Sequence, residues 1–585
     1  MKRTTCNIIY SALRYRGFFI RHRHHFREAG FSTHAVHTAH PPVLLQQRED
    51  GSVTQVPEET FFRYTRKRWL VNDYEERSKR YRKFDIGELI AAAARSAGGM
   101  PKQCTQIMKF PEGQYNKAFL LTFDDKSEVV AKLPNPNAGP PILTTASEVA
   151  TMEFVHRIIG IPVPRVLDWS CDQFNSAGCE YIIMEKARGV PLANSWYQLP
   201  SSSKHNFIGQ VVEMEAKLTS VSFPAHGCIY HKRDLPSEHS QNQIPFGESN
   251  LHEFCIGPVI DPVIWSDRRS ELQLYRGPWR DISHYARSLG ENEKYWTDQY
   301  AQSRMNYYKS NTDPENPSEY LALVEKYLLV APFITQSQAD SQDILQPTLW
   351  HSDLHLNNIY VDLDTETITD IIDWQNTTTA PLIFQAKIPR MARHISPLPL
   401  GWHMPEKPDN YNDLSQDAKS QADDLYQSAL CHKYYEVITA KKNPRHYAAL
   451  THNDEWKAPL IRPIKAIGGA WSSREVFGLR SSLLEVVDHW TEWDTQSKCP
   501  ISFTAEETAL HHEELENREY VEQLMEQFQN AGLLPIDGVV HPEDYETLQR
   551  TNDTLKTRFL SLAESEEETA WMEKIWPYQD PPKYS

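Results

Sequence analysis

The 585-residue sequence predicts an α+β chain of two lobes, a small β-rich lobe followed by a larger helical one. Three observations predict it. Short β-branched and aromatic runs separated by turns crowd residues 104–134. Helical periodicity dominates beyond about residue 200. A single polar stretch, LWHSDLHLNNIYVDLDTETITDIIDWQ from Leu349 to Gln375, gathers His351, Asp353, Asn358 and Asp373 around a hairpin.

In chain order, residues 1–40 stand apart. They hold Lys2, Arg3, Arg14, Arg16, Arg21, Arg23 and Arg27 against one acid, Glu28, with scattered apolar residues. An Arg-rich, acid-poor, amphipathic start is the composition of a mitochondrial transit peptide; a basic tail is the alternative. Residues 41–100 read as a lead-in packed on the first lobe, closed by a helix that Asp85 caps and Gly98-Gly99 end. Residues 101–188 form the β-rich lobe: CTQIMKF, AFLLTF and VVAKLP are strands, the last bearing Lys132. Gly113 lies in the turn between the first two, either a phosphate-covering loop or a plain hairpin turn. The helix TTASEVATMEFVHRIIG offers two acids. Glu148 shares a face with Met152, Val155 and Ile159, while Glu153 pairs with Arg157 on the polar side. Glu148 is therefore the acid able to reach Lys132, although Thr145-x-x-Glu148 also fits a capping box.

Residues 189–500 form the helical lobe with insertions, and 501–585 a helical C-terminal extension opened by Thr504-x-x-Glu507. Helices are expected over 204–220, 318–331, 413–441, 475–495 and 504–532, and exposed loop over 232–252. The insertions before the polar stretch are expected to line or cover the acceptor site. Trp456, Trp471, Trp490 and Trp493 read as core.

Composition narrows the function. A formal charge of −17 argues against a nucleic-acid partner. No run approaches the roughly 18 apolar residues of a membrane span. Eight scattered cysteines show no CxxC spacing.

The polar stretch carries the chemistry. Asn358–Val361 and Ile368–Ile372 read as a hairpin, with Asp353 and Asn358 before it and Asp373 after it. Two acids and an amide at one sheet end suit phosphoryl transfer. One acid orients a hydroxyl nucleophile, and the amide and the other acid hold Mg²⁺ on the phosphates. A rival reading takes His351, Asp353 and His355 as ligands of a metal hydrolase, but no second HxH or HExxH cluster accompanies them.

His351-x-Asp353-x-x-x-x-Asn358 followed by Ile372-Asp373-Trp374 resembles the catalytic loop of the aminoglycoside phosphotransferase and choline kinase branch of the protein-kinase-like superfamily. Ser352 stands where many members have Gly, and Gln375 where an acid is frequent. The resemblance implies a two-lobed protein-kinase-like fold with ATP between the lobes. It implies Asp353 as catalytic base, His351 bracing its loop, and Asn358 and Asp373 binding Mg²⁺. Lys132, held by Glu148, resembles the strand lysine that touches the α- and β-phosphates, under a loop containing Gly113. Met184, Glu185, Lys186 and Ala187 resemble the hinge that passes the adenine. The implied activity is an ATP-dependent phosphotransferase acting on a small-molecule hydroxyl; a pseudokinase or scaffold using the same fold is the alternative.

Overall fold

Seven strands pair into one sheet in the order Val53–Gln55, Val43–Gln47, Cys104–Lys109, Asn116–Phe123, Glu128–Pro134, Tyr181–Glu185, Val166–Ser170. Only the contact between Val43–Gln47 and Cys104–Lys109 is parallel. The computed structural model describes residues 41–580 except 99–101, 248–250, 337–341, 397, 400, 402, 453–457 and 494–496. The transit-peptide reading of residues 1–40 and Trp456 fall outside the described residues.

The lead-in does more than pack on the first lobe, since it supplies two of the seven strands. Helix Ile86–Ser96 starts where the Asp85 carboxylate accepts the Glu88 N–H at 2.9 Å, and Gly98 follows it at φ +69°. Its Leu89, Ala92 and Ala93 face pack with Phe61, Phe84, Phe119 and Ile183 into the first-lobe core. Helix Leu143–Phe154 lies beyond the third strand of the predicted trio.

The second lobe is built on helix Ser201–Thr219, helix Gln416–Lys442 and the hairpin Ile359–Asp362 with Thr367–Ile371, onto which Val190–Pro191 adds a third strand. Gly189 makes that addition possible. It sits at φ +79°, and a Cβ there would lie 2.2 Å from the Val361 carbonyl oxygen.

Two regions differ from expectation. Within the stretch 232–252 expected as loop, Ile244–Pro245 pairs antiparallel with Phe254–Gly257, which also pairs with Cys228–His231. The two flanking strands have four residues each and are buried on both faces, so no alternation marks them. The insertion helices Ile282–Tyr300 and Pro317–Gln336 form a separate core with Ala458–Ile467 and Val476–Asp488, including Trp471 and Trp490.

The C-terminal extension, helices Ala505–Asn530, Tyr545–Leu560 and Glu566–Ile575, opens with the full Thr504/Glu507 capping box. It returns to the lead-in. Val539–Val540 pairs with Arg68–Trp69, and the Arg68 guanidinium lies 3.4 Å over the Tyr545 ring. No described helix is long and apolar enough to cross a membrane.

Candidate active site

Three segments far apart in sequence meet at one ammonium. Lys132 Nζ donates to Glu148 Oε1 at 2.6 Å and to Asp373 Oδ1 at 2.7 Å. Glu148 is available because another carboxylate serves the helix start: Glu180 accepts from the Ile142 N–H at 2.9 Å and the Thr145 hydroxyl at 2.6 Å. Thr145 therefore does not form the capping box, and Glu153 pairs with Arg157 as the helical phase predicts. Burial works against the charge on Lys132, but Asp373 and Glu148 outweigh it and raise its pKa. Burial likewise opposes the Asp373 carboxylate, and the Lys132 ammonium overrides it, holding that carboxyl below its usual range. Asp373 sits at φ +65°, a conformation that costs a non-glycine residue about 1 kcal/mol or more and turns the chain out of the hairpin.

His351 locks the loop before the hairpin. Its ring is buried edge-to-face against Trp374 at 4.7 Å. Nδ1 accepts the Asp353 N–H at 3.2 Å, so Nε2 carries the proton and donates to the Ile372 carbonyl at 3.0 Å. Burial lowers its pKa, and it stays neutral. Asn358 Nδ2 donates to the Asp353 carbonyl at 3.0 Å, and the Ile372 N–H to the Asn358 carbonyl at 3.0 Å. The histidine is thus a positioning group between Asp353 and the turn that carries Asp373. The Asp353 side chain itself is 59% exposed, with His355 Nε2 3.5 Å away.

Oxygen donors suit magnesium at this point. Asn358 uses its amide nitrogen internally, which leaves its Oδ1 to accept, and Asp373 engages Lys132 through Oδ1 only, which leaves Oδ2. One carboxylate and one carbonyl oxygen are what Mg²⁺ takes from a protein when phosphates and water complete its shell. The rival hydrolase reading fails on geometry: both His351 nitrogens are engaged, and among the described residues no three of His, Cys, Asp or Glu converge.

The remaining predicted residues frame the cleft. Gly113 lies in the turn between two sheet strands with open space around it. The neighbouring Glu112, fully buried, ties this turn down: it accepts from Lys117 Nζ at 2.5 Å, from the Thr65 N–H at 2.8 Å, and ion-pairs Lys109 at 3.0 Å. Burial pushes Lys109 down to about 8, against the pull of Glu112. The Glu185 side chain accepts from Arg165 at 2.5 Å, and its backbone N–H donates to the Arg165 carbonyl at 2.9 Å, so Glu185 itself is tied to its neighbours. The Ala187 backbone has no partner among the described residues. Just beyond it, Arg188 donates its N–H at 2.8 Å and its Nε at 3.0 Å to the buried Asp370 of the hairpin.

Sequence reasoning missed Glu112, Arg188 and Asp370, because an ordinary acid and an ordinary arginine carry no motif. It also missed what the substitution at Gln375 does. Gln375 is buried, accepting from Asn116 Nδ2 at 2.5 Å and donating to the Ala138 carbonyl at 3.2 Å. A neutral amide satisfies both partners where an acid could satisfy one. Beside Asp353 lies a cavity of about 180 Å³, whose walls include Trp350, Glu215, Lys387, Arg390 and Arg393. Glu215 and Leu218 of this wall come from helix Ser201–Thr219, whereas helices Ile282–Tyr300 and Pro317–Gln336 contribute apolar residues to a separate core.

The chain is similar to known proteins over most of its length. The model of the phosphotransferase enzyme family matches residues 106–385. A subtelomeric hrmA-associated cluster protein of Aspergillus fumigatus is 31% identical over 515 residues, which cover 82% of this chain and 97% of that protein. Altered inheritance of mitochondria protein 9, mitochondrial, of Saccharomyces cerevisiae is 24% identical over 533 residues, covering 78% of this chain and 83% of that one. Among solved structures, ADP-bound aminoglycoside phosphotransferase APH(2'')-Ib aligns over 68% of this chain and 98% of its own at 11% identity, with a TM-score of 0.34.

Proposed function

The chain belongs to the phosphotransferase enzyme family, and we propose that it transfers the γ-phosphoryl group of Mg-ATP to a hydroxyl of a small molecule in mitochondria. The observation that carries this reading is the meeting of Glu148, Lys132 and Asp373, two carboxylates within 2.7 Å of one ammonium drawn from both lobes. Lys132 neutralises the α- and β-phosphates. Its alignment is set by Glu148, and the Ala187 backbone is free to bond the adenine. Asn358 and Asp373 hold the magnesium, which when bound neutralises charge on the phosphates. Asp353, exposed at the mouth of the cavity, orients the acceptor hydroxyl. The acceptor oxygen bonds to the γ-phosphorus as the bond to the bridging oxygen breaks, the hydroxyl proton passes to Asp353, and ADP leaves. Little covalent chemistry is asked of the protein, so rigid positioning of these few groups suffices. The basic leader and the mitochondrial name of the yeast relative support the location.

The test is the melting temperature of the full chain with and without Mg-ATP. Saturation to 100 times the dissociation constant adds about 2.7 kcal/mol, and Asp373→Ala is expected to abolish the magnesium-dependent part. A folded chain that ignores millimolar Mg-ATP would instead fit a scaffold that keeps the fold for binding.

A further inference from the structure

We propose that the acceptor held beside Asp353 carries an anionic group, a carboxylate or a phosphate, bound by Arg390 and Arg393 with Lys387. This deepens the phosphotransferase reading and rests on it. The segment Lys387-Ile-Pro-Arg390-Met-Ala-Arg393 contains three cations and no acid, in a chain whose acids outnumber its bases by 78 to 61. Its fold separates the two kinds of residue. The Ala392 and Arg393 N–H groups both bond the Pro389 carbonyl, at 2.9 and 3.0 Å, closing a turn. Pro389, Met391 and Ala392 are buried, whereas Lys387, Arg390 and Arg393 are exposed. Turn and burial together present the cations along the cavity whose other wall holds Asp353.

The cations differ in how they are engaged. Lys387 Nζ donates to the Ser352 carbonyl at 2.7 Å, next to Asp353 in the chain. Among the described residues, neither the Arg390 nor the Arg393 guanidinium makes a hydrogen bond, and neither has a carboxylate within 4 Å. Elsewhere in this molecule arginines pair readily: Arg269 with Glu293, Arg480 with Glu514, Arg188 with Asp370. Two unpaired guanidiniums on one cavity are therefore a positive site with fork geometry for a planar or tetrahedral oxyanion. The other acid in the wall does not cancel them: Glu215 is fully buried, and burial raises its pKa to about 8, so it holds a proton near neutrality. Asp353, exposed in the same lining, is set for the hydroxyl while the arginines take the anion. The cations line a small cavity rather than a broad flat face, which favours a small molecule over a nucleic acid or a membrane surface.

The experiment compares four probes on the full chain with Mg-ATP: glycerate, glycerol 3-phosphate, glycerol and choline. Binding is read by melting temperature and turnover by ADP release, for wild type and for Arg390→Gln with Arg393→Gln. The expected result is a melting shift from one or both anionic probes. Any turnover should fall at least tenfold in kcat/KM in the double variant, mainly through KM. Whichever anion shifts the wild type names the class, carboxylate or phosphate. The nucleotide-induced shift should survive the double variant; its absence in wild type would instead strike the phosphotransferase reading. The proposal is overturned if glycerol or choline shifts the protein as much as the anions do. It is also overturned if neither anion shifts it, or if the double variant responds like wild type.

Discussion

On the Lys132 side of the cleft each charge already has its partner: Lys132 lies within 2.7 Å of Glu148 and Asp373, and Glu112 binds two buried lysines under the glycine turn. On the Asp353 side the charges stand open: among the described residues, the Asp353 carboxylate has His355 at 3.5 Å as its one charged neighbour within 4 Å, and Arg390 and Arg393 have no acid within that distance. The difference teaches how one fold serves a fixed and a variable task. In the reaction proposed above, groups that meet the same nucleotide in every turnover can be locked by mutual ion pairs, which pre-organises them. The groups proposed to choose an acceptor would keep their valence for it, in keeping with their exposure.

The comparison can be broken first at Asp353, the carboxylate of the open half. Asp353→Asn is expected to lower Mg-ATP turnover by about 10³-fold, a typical general-base loss, while the Mg-ATP melting shift persists. Loss of both together would mean that Asp353 belongs to the locked half. A second break is structural. Gly189→Ala places a Cβ against the Val361 carbonyl oxygen at a positive φ, and should cost roughly 2 kcal/mol of stability by urea denaturation. The hinge would then loosen from the hairpin, so the affinity for nucleotide should weaken as well.

The wall of the open half holds one buried group that reports on pH. Glu215 has its pKa raised from about 4.5 to about 8 by burial, with the Tyr435 hydroxyl donating to it at 2.7 Å. The folded state therefore holds a proton that the unfolded state has lost between those values. Stability from this group is present at low pH and falls as pH rises towards 8. Between pH 6.5 and 8.5 wild type should lose roughly 2 kcal/mol more than Glu215→Gln, read from the two urea midpoints. Equal slopes would place a charged carboxylate in the cavity wall and weaken the contrast. The smallest effect sharpens it: Arg390→Gln should change stability by less than about 0.5 kcal/mol, as for an exposed residue with no partner. A larger loss would show that Arg390 is structural.

Much of the site was legible because it is local. His351, Asp353, Asn358 and Asp373 fall within 23 residues, and a hairpin brings the ends of such a stretch together by itself. Glu148 over Glu153 followed from helical phase, since only one face of a helix can meet the sheet. The four-residue strands around Cys228 and Phe254 were not legible, because strands buried on both faces lack alternation. The cavity walls were equally hidden, as Glu215 and Arg390 are 175 residues apart and neither belongs to a motif.

By itself the sequence determined the α+β class, the hairpin with its acids, the facing acid Glu148 and the capped helices, all properties of periods and spacings within about two dozen residues. Tertiary structure alone decided which charges are paired and which are left open. It drew the lead-in into the sheet, returned the C-terminal extension to Arg68–Trp69, and left Arg390 and Arg393 without an acid among the described residues beside Asp353. The physical reason is that pairing depends on distance and burial in space, and contacts between residues hundreds of positions apart leave no period in the chain.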